Sequence, residues 1–253
     1  MNAIGVQYST GMSQGSPSDA PLDARVALVT GGSKGIGFAI AEALVAQGAR
    51  VMITGRAAAD LERAESRLGG RAASVSADAR RPNDVQRAVE ATVDRHGGID
   101  VLVNNAGIGI FKNAAEMSAE EWHSILDTNL TGVFNYCHAV IPHLRRRGGG
   151  WIVNISSLAA KNPFSGGAAY CASKAGLNAF SDALMQEVRY DDIRVTCVMP
   201  GSVATGFGGR GAADRPDWKI QPEDVGKVVV DLLLMPPRSL PSRIELRPSK
   251  PQK

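Results

Sequence analysis

At 253 residues, 44% of them hydrophobic, the chain is long enough to bury a sizeable core in one large domain. Its formal net charge of +3 comes from cations and carboxylates scattered along the sequence, which excludes the broad basic face of a nucleic-acid binder. Cys137, Cys171 and Cys197 lie far apart with no CxxC spacing, so no disulfide framework or zinc site is expected, and no apolar run approaches the roughly 18 residues of a membrane span.

Residues 1–21 are rich in Gly, Ser and Pro and lack both a basic and an apolar leader segment. They are expected to be disordered and not to be a secretory signal. With cysteines suited to a reducing compartment, a cytoplasmic location is expected. From residue 22 to 253 a single domain is expected, beginning with the β-branched run RVALVT, a strand. GFAIAEALVAQG follows with helical spacing and stops at Gly48, a good residue just past a helix end. RVMITG and AASVSAD read as strands two and three, separated by the helix AADLERAESRLGG. RPNDVQRAVEATVDRHGG has proline near a helix start and two glycines at its end. IDVLVN is a fourth strand, and a long helix is expected over about 118–147, ending in Arg145, Arg146 and Arg147, where cations oppose the helix dipole. GWIVNIS is strand five, AYCASKAGLNAFSDALMQEVR a helix, and IRVTCVM strand six. A helix over about 222–234 and the short run RIELR close the chain. Strands alternating with helices, the strands nearly all apolar, imply right-handed crossovers and a doubly wound parallel sheet covered on both faces. Residues 204–220 show neither strand nor helix period, and a loop of that length in a compact domain is usually functional.

TGGSKGIG, at 30–37, sits between the first strand and the first helix. Glycines there let the backbone approach a pyrophosphate, which then rests on the helix N-terminus; a plain tight turn is the competing reading. The second strand ends in Gly55 and Arg56, where an NAD site would place a carboxylate for the ribose 2′-hydroxyl. Arg56 and Lys34 together suit a 2′-phosphate, held by charge-assisted hydrogen bonds. His96, His123, His138 and His143 show no ligand spacing, so no metal is expected. Trp122 and Trp151 read as packing residues, and Trp218 lies in the long loop, where it could touch substrate.

These motifs, with NNAG at 104–107, Ser157 after strand five and YCASK at 170–174, together resemble the classical short-chain dehydrogenase/reductases over most of the chain. The resemblance implies a Rossmann-type fold and a catalytic set of Asn129, Ser157, Tyr170 and Lys174, with Ser157 thirteen residues before Tyr170. It implies NADP(H) contacts from Gly31, Ser33, Lys34, Gly35, Ile36, Gly37, Arg56, Asp78, Asn105, Ala106, Gly107, Tyr170, Lys174, Pro200, Gly201, Val203 and Thr205. Asp78 matches the residue near the adenine, and Val203 and Thr205 match the segment that meets the nicotinamide carboxamide. The family's counterpart of Asn129 holds a water that feeds protons in. The implied partner is a small carbonyl or alcohol substrate, and the implied assembly a homodimer or homotetramer. Two departures stand out: Ala160 replaces a glycine frequent after the catalytic serine, and the C-terminus lacks the usual glycine-rich ending.

Tyr170 and Lys174 are one helical turn apart and share a face. An ammonium there is expected to favour phenolate and lower the tyrosine pKa toward working pH. The function expected is hydride transfer between nicotinamide and a ketone or secondary alcohol, with Tyr170 as acid/base. A β-ketoacyl thioester reductase and a non-catalytic NADP-binding regulator are the alternatives.

Overall fold

The computed structural model describes residues 20–209 and 216–251. The segment expected to be disordered therefore lies, apart from its last two residues, outside the described residues, as do residues 210–215 of the expected substrate loop.

Seven strands form one parallel sheet in the order β3-β2-β1-β4-β5-β6-β7. They are β1 (Val26–Thr30), β2 (Arg50–Gly55), β3 (Ala72–Ser76), β4 (Val101–Asn104), β5 (Gly150–Ile155), β6 (Ile193–Pro200) and β7 (Arg243–Leu246). The central β1 and β4 are buried along their whole length, while the edge strands β3 and β7 carry exposed Ser, Arg and Glu. Side chains alternate across β1: Ala27 and Val29 enter one core, Leu28 the other. The first core lies under α1 (Gly35–Ala46), α2 (Ala58–Leu68) and α7 (Pro222–Leu233), with Ile40, Leu44, Leu61 and Val225 in it. The second lies under α3 (Pro82–His96), α5 (Gly132–Arg146) and α6 (Ala168–Val188), around Val89, Tyr136, Val140 and Leu177. Strand order reverses between β1 and β4, so the loops after these two strands part and leave a crevice at their C-terminal ends.

Local signals set most boundaries. Pro82 opens α3, and Gly97 closes it in the left-handed region at φ 84°. The single helix expected over 118–147 is instead two. α4 (Ala119–Leu126) begins with a capping box, in which the Ser118 hydroxyl accepts from the Glu121 N–H at 3.2 Å and the Glu121 carboxylate accepts from the Ser118 N–H at 3.0 Å. A π-helical turn over Asp127–Thr131 then separates it from α5. The wider turn accommodates one extra residue and points Asn129 into the interior, a distortion typical of functional positions. The arginine run does more than oppose a dipole: Arg145 pairs with Asp191 at 2.8 Å, and Arg147 with the buried Asp100 at 3.1 Å. Asp100 also accepts the Val26 N–H at 2.8 Å, which ties the start of β1 to the end of α5. Among the described residues no helix is long and apolar enough to cross a membrane.

Candidate active site

The crevice is a cleft of about 1660 Å³, larger than the usual range for drug-sized ligands. The 30–37 turn forms one wall. Its glycines are required by close approach: a Cβ on Gly37 would stand 2.3 Å from the Gly31 carbonyl oxygen and 2.4 Å from Asn105 Nδ2. Gly31 has φ +64°, and a Cβ there would meet Ala106 Cα at 2.9 Å. Thr30 and Asn105 lace this turn to the loop after β4. Thr30 Oγ1 accepts the N–H groups of Asn105 and Ala106, each at 3.0 Å, and Asn105 Nδ2 donates to the carbonyls of Thr30 at 2.9 Å and Gly31 at 3.1 Å. Helix α1 starts without a side-chain cap and without an acid in its first turn, so nothing from the protein's side chains competes for its first N–H groups. A dinucleotide pyrophosphate fits this bare, positively polarised helix start.

Ser33, Lys34, Gly35, Ile36, Arg56, Asp78, Asn105, Ala106, Gly107, Pro200, Gly201, Val203 and Thr205 all line the cleft. Both cations expected at a 2′-phosphate, Lys34 and Arg56, are solvent-accessible there. Asp78 is not a bare carboxylate. Arg80 grips it at 2.5–3.1 Å, and that hydrogen bond holds it below its ordinary range against the opposing effect of burial, with Arg56 adding to the lowering. Val203 bridges Ile220 across the long loop, and Thr205 lies against Gly35.

Ser157 follows β5, and Tyr170 and Lys174 lie on the first turns of α6. Lys174 is 5% exposed, and its Nζ donates to the Ile155 carbonyl at 2.8 Å. Burial pushes its pKa down to about 8. Burial also pushes the Tyr170 phenol upward, against a hydrogen bond with Ser157 that lowers it. The expected lowering of Tyr170 by Lys174 is therefore absent. Desolvation penalises both charged forms, Nζ is turned to Ile155, and it stands 5.9 Å from the phenol ring centroid. Asn129 is fully buried. Its Oδ1 accepts from the Ile108 N–H at 2.8 Å, and its Nδ2 donates to the Ile108 carbonyl at 2.9 Å and Ser173 Oγ at 3.1 Å. The side chain thus locks the loop after β4 to α6 rather than opening into the cleft.

The sequence reading missed Thr30 as the organiser of the NNAG loop; its only signal was the position of a hydroxyl at the end of β1. It also missed Ser173, and three phenylalanines, Phe111, Phe164 and Phe207, that line the cleft beside Tyr170. Trp218 lies in the long loop with Lys219 Nζ 5.5 Å from its ring, and Trp122 is 37% exposed rather than packed. The three cysteines are free, buried thiols. Among the described residues there is no cluster of metal-ligating side chains.

A doubly wound parallel sheet with a bare glycine turn over its switch-point cleft is a dinucleotide-binding architecture. The family model described as short chain dehydrogenase matches residues 25–215. The chain is 40% identical over 188 residues to a 3-oxoacyl-(acyl-carrier-protein) reductase FabG of Chlamydia muridarum, covering 72% of this chain and 75% of that one. It superposes on an alcohol dehydrogenase from the archaeon Thermococcus sibiricus, complexed with 5-hydroxy-NADP, with TM-score 0.84 and 30% identity, covering 90% of this chain and 99% of the other. A 3-ketoacyl-(acyl-carrier-protein) reductase from Brucella melitensis, complexed with NADH, gives TM-score 0.83 at 29% identity over 89% and 97% of the two chains. The protein belongs to the short-chain dehydrogenase/reductase family, an oxidoreductase family that uses nicotinamide cofactors on CH–OH and C=O groups.

Proposed function

We propose that the protein is an NADP(H)-dependent oxidoreductase that interconverts ketones and secondary alcohols, with Tyr170 as the acid/base. The convergence of Tyr170, Ser157 and Lys174 in one cleft with the glycine turn, Lys34 and Arg56 carries this reading. The nicotinamide supplies the hydride. Tyr170 donates its phenolic proton to the carbonyl oxygen in reduction and takes it back in oxidation. Ser157 hydrogen-bonds the same oxygen and stabilises the charge that develops on it. Lys174, which lines the cleft one helical turn from Tyr170, would hold the nicotinamide ribose. Asn129 is a positioning residue that holds Ile108 and, through Ser173, the first turns of α6.

Gly31–Gly37 would hold the pyrophosphate, Asp78 would lie by the adenine, and Val203 and Thr205 by the carboxamide. The preference for NADP over NAD rests on Gly55 and Arg56 standing where a carboxylate would be needed, since the solved neighbours include both an NADP and an NADH complex. The 40% identity to a 3-oxoacyl reductase favours a β-ketoacyl thioester reductase as the second reading. Oxidation of NADPH and NADH against a panel of ketones, aldehydes and a β-ketoacyl thioester tests both. Tyr170→Phe should bind cofactor as the parent does and lose about a hundred- to ten-thousandfold in turnover. Near-parental turnover in this variant would sink the mechanism.

A further inference from the structure

Three phenylalanines on three separate loops form a cluster with Tyr170, two of them against its ring and the third against Phe111. Phe111 lies after β4, Phe164 in the segment between β5 and α6, and Phe207 in the short 3-10 turn after β6. Phe111 meets Tyr170 edge-on, with centroids 5.6 Å apart and planes at 75°. Phe207 meets Tyr170 at 5.7 Å and 54°, and Phe164 meets Phe111 at 5.8 Å and 50°. Such tilted and edge-to-face pairs are the favoured geometry of aromatic rings. All three phenylalanines remain 37–48% exposed, and all three open onto the cleft. Large apolar groups left exposed in a concave site mark a place that an apolar ligand covers.

The surroundings are shaped to seat these rings. A Cβ on Gly109 would stand 2.7 Å from Phe207 and 2.8 Å from Phe111. One on Gly208 would stand 2.6 Å from Phe111, and one on Gly167 2.6 Å from Phe164. Side chains at these positions would push the rings apart. Two cations on these loops are paired, Lys112, next to Phe111, with Glu121 at 2.5 Å, and Lys161, on the Phe164 segment, with Glu245, while Lys219 on the Phe207 loop lines the cleft 5.5 Å from the Trp218 ring. Among the described residues, the acids that line the cleft, Glu42, Asp60, Asp78 and Glu223, come from α1, α2, the loop after β3 and α7, none of them on the three loops that carry the rings.

Building on the oxidoreductase reading above, we propose that the substrate is an aryl or arylalkyl ketone, or the matching secondary alcohol. Its carbonyl lies on Tyr170 and Ser157, and its aromatic group is enclosed by Phe111, Phe164 and Phe207. A carrier-bound β-ketoacyl thioester, with its polar linker, is the poorer match to this wall.

The test compares kcat/KM of the full-length protein with NADPH for 1-phenyl-1-propanone, butan-2-one and acetoacetyl-CoA. Calorimetry with NADP+ present gives the affinity for 1-phenyl-1-propanol. The phenyl ketone should exceed butan-2-one by at least about tenfold. Each of Phe164→Ala and Phe111→Ala should lower that ratio, and weaken alcohol binding, by roughly two- to tenfold, the worth of an aromatic pair. Phe164→Leu keeps apolar bulk and serves if an alanine variant does not fold; it should still lower the ratio, because the ring is lost. Turnover of butan-2-one or acetoacetyl-CoA without phenyl preference would overturn the aromatic site and leave the oxidoreductase reading intact. If no carbonyl turns over, that reading fails, and the alcohol titration decides the aromatic site alone: binding weakened by the phenylalanine variants upholds it, and no binding overturns it.

Discussion

Lys174 is the group whose energetics the structure defines best, and Lys174→Met isolates them. Methionine keeps the length of the side chain and removes the charge. Burial lowers the lysine from its ordinary 10.5 to about 8, and such a fall corresponds to about 3 kcal/mol of unfavourable interaction with the ammonium form. The folded-state pKa lies below the unfolded one, so the unfolded chain binds more protons between about 8 and 10.5. Parental stability therefore rises with pH across that window, and the cost of the buried ammonium is fully present below about 8. Integrated over the titration, about 2 kcal/mol of that cost should be relieved between pH 7 and pH 9.5. The variant lacks this relief. It also leaves the Ile155 carbonyl without its donor, at a cost of about 1–3 kcal/mol that does not vary with pH. The two effects roughly cancel at pH 7, so the variant should be about as stable as the parent there and fall behind it by about 2 kcal/mol at pH 9.5. Denaturant unfolding of both proteins at several pH values measures the gap, and subtraction removes the other titrating groups. A gap that stays constant from pH 7 to 9.5 refutes the reasoning, because Lys174 would then carry its ordinary pKa in the folded protein.

Arg56→Ala should cut the preference for NADPH over NADH by roughly ten- to a hundredfold in dissociation constants, the worth of one charge-assisted phosphate contact, and an unchanged preference would remove Arg56 from the site. Gly37→Ala forces a methyl group against Gly31 and Asn105 and should lower stability by about 1–3 kcal/mol while loosening NADPH, as read by thermal melting and cofactor titration; parental values for both would show that the turn can yield. A dimer is expected through α4, α5 and α6, where Phe134 is half exposed and stacks on His138, so sedimentation should show a dimer or tetramer for the parent and a smaller species for Phe134→Asp. A parent that sediments only as a monomer at micromolar concentration would exclude that assembly.

The sequence alone determined the order and type of the main elements. Continuous apolar runs such as VALVT and VLVN bury both faces of a strand, and their alternation with amphipathic helices leaves few topologies other than a doubly wound parallel sheet. It also determined the glycine turn, because a Cβ at Gly37 has no room, and that need is local. It marked Tyr170 and Lys174 as neighbours, because helical spacing fixes which residues share a face. Tertiary structure decided the rest. Whether Lys174 lowers or merely adjoins Tyr170 depends on how much water reaches them, and only packing shows that both are desolvated. The break between α4 and α5 coincides with the hydrogen bond from Ile108 to Asn129, two residues 21 apart in sequence. The ring cluster could not be read at all: Phe111, Phe164 and Phe207 lie on aperiodic loops far apart in the chain, and only the parallel sheet, which gathers the C-terminal ends of β4, β5 and β6 at one edge, brings them together with Tyr170.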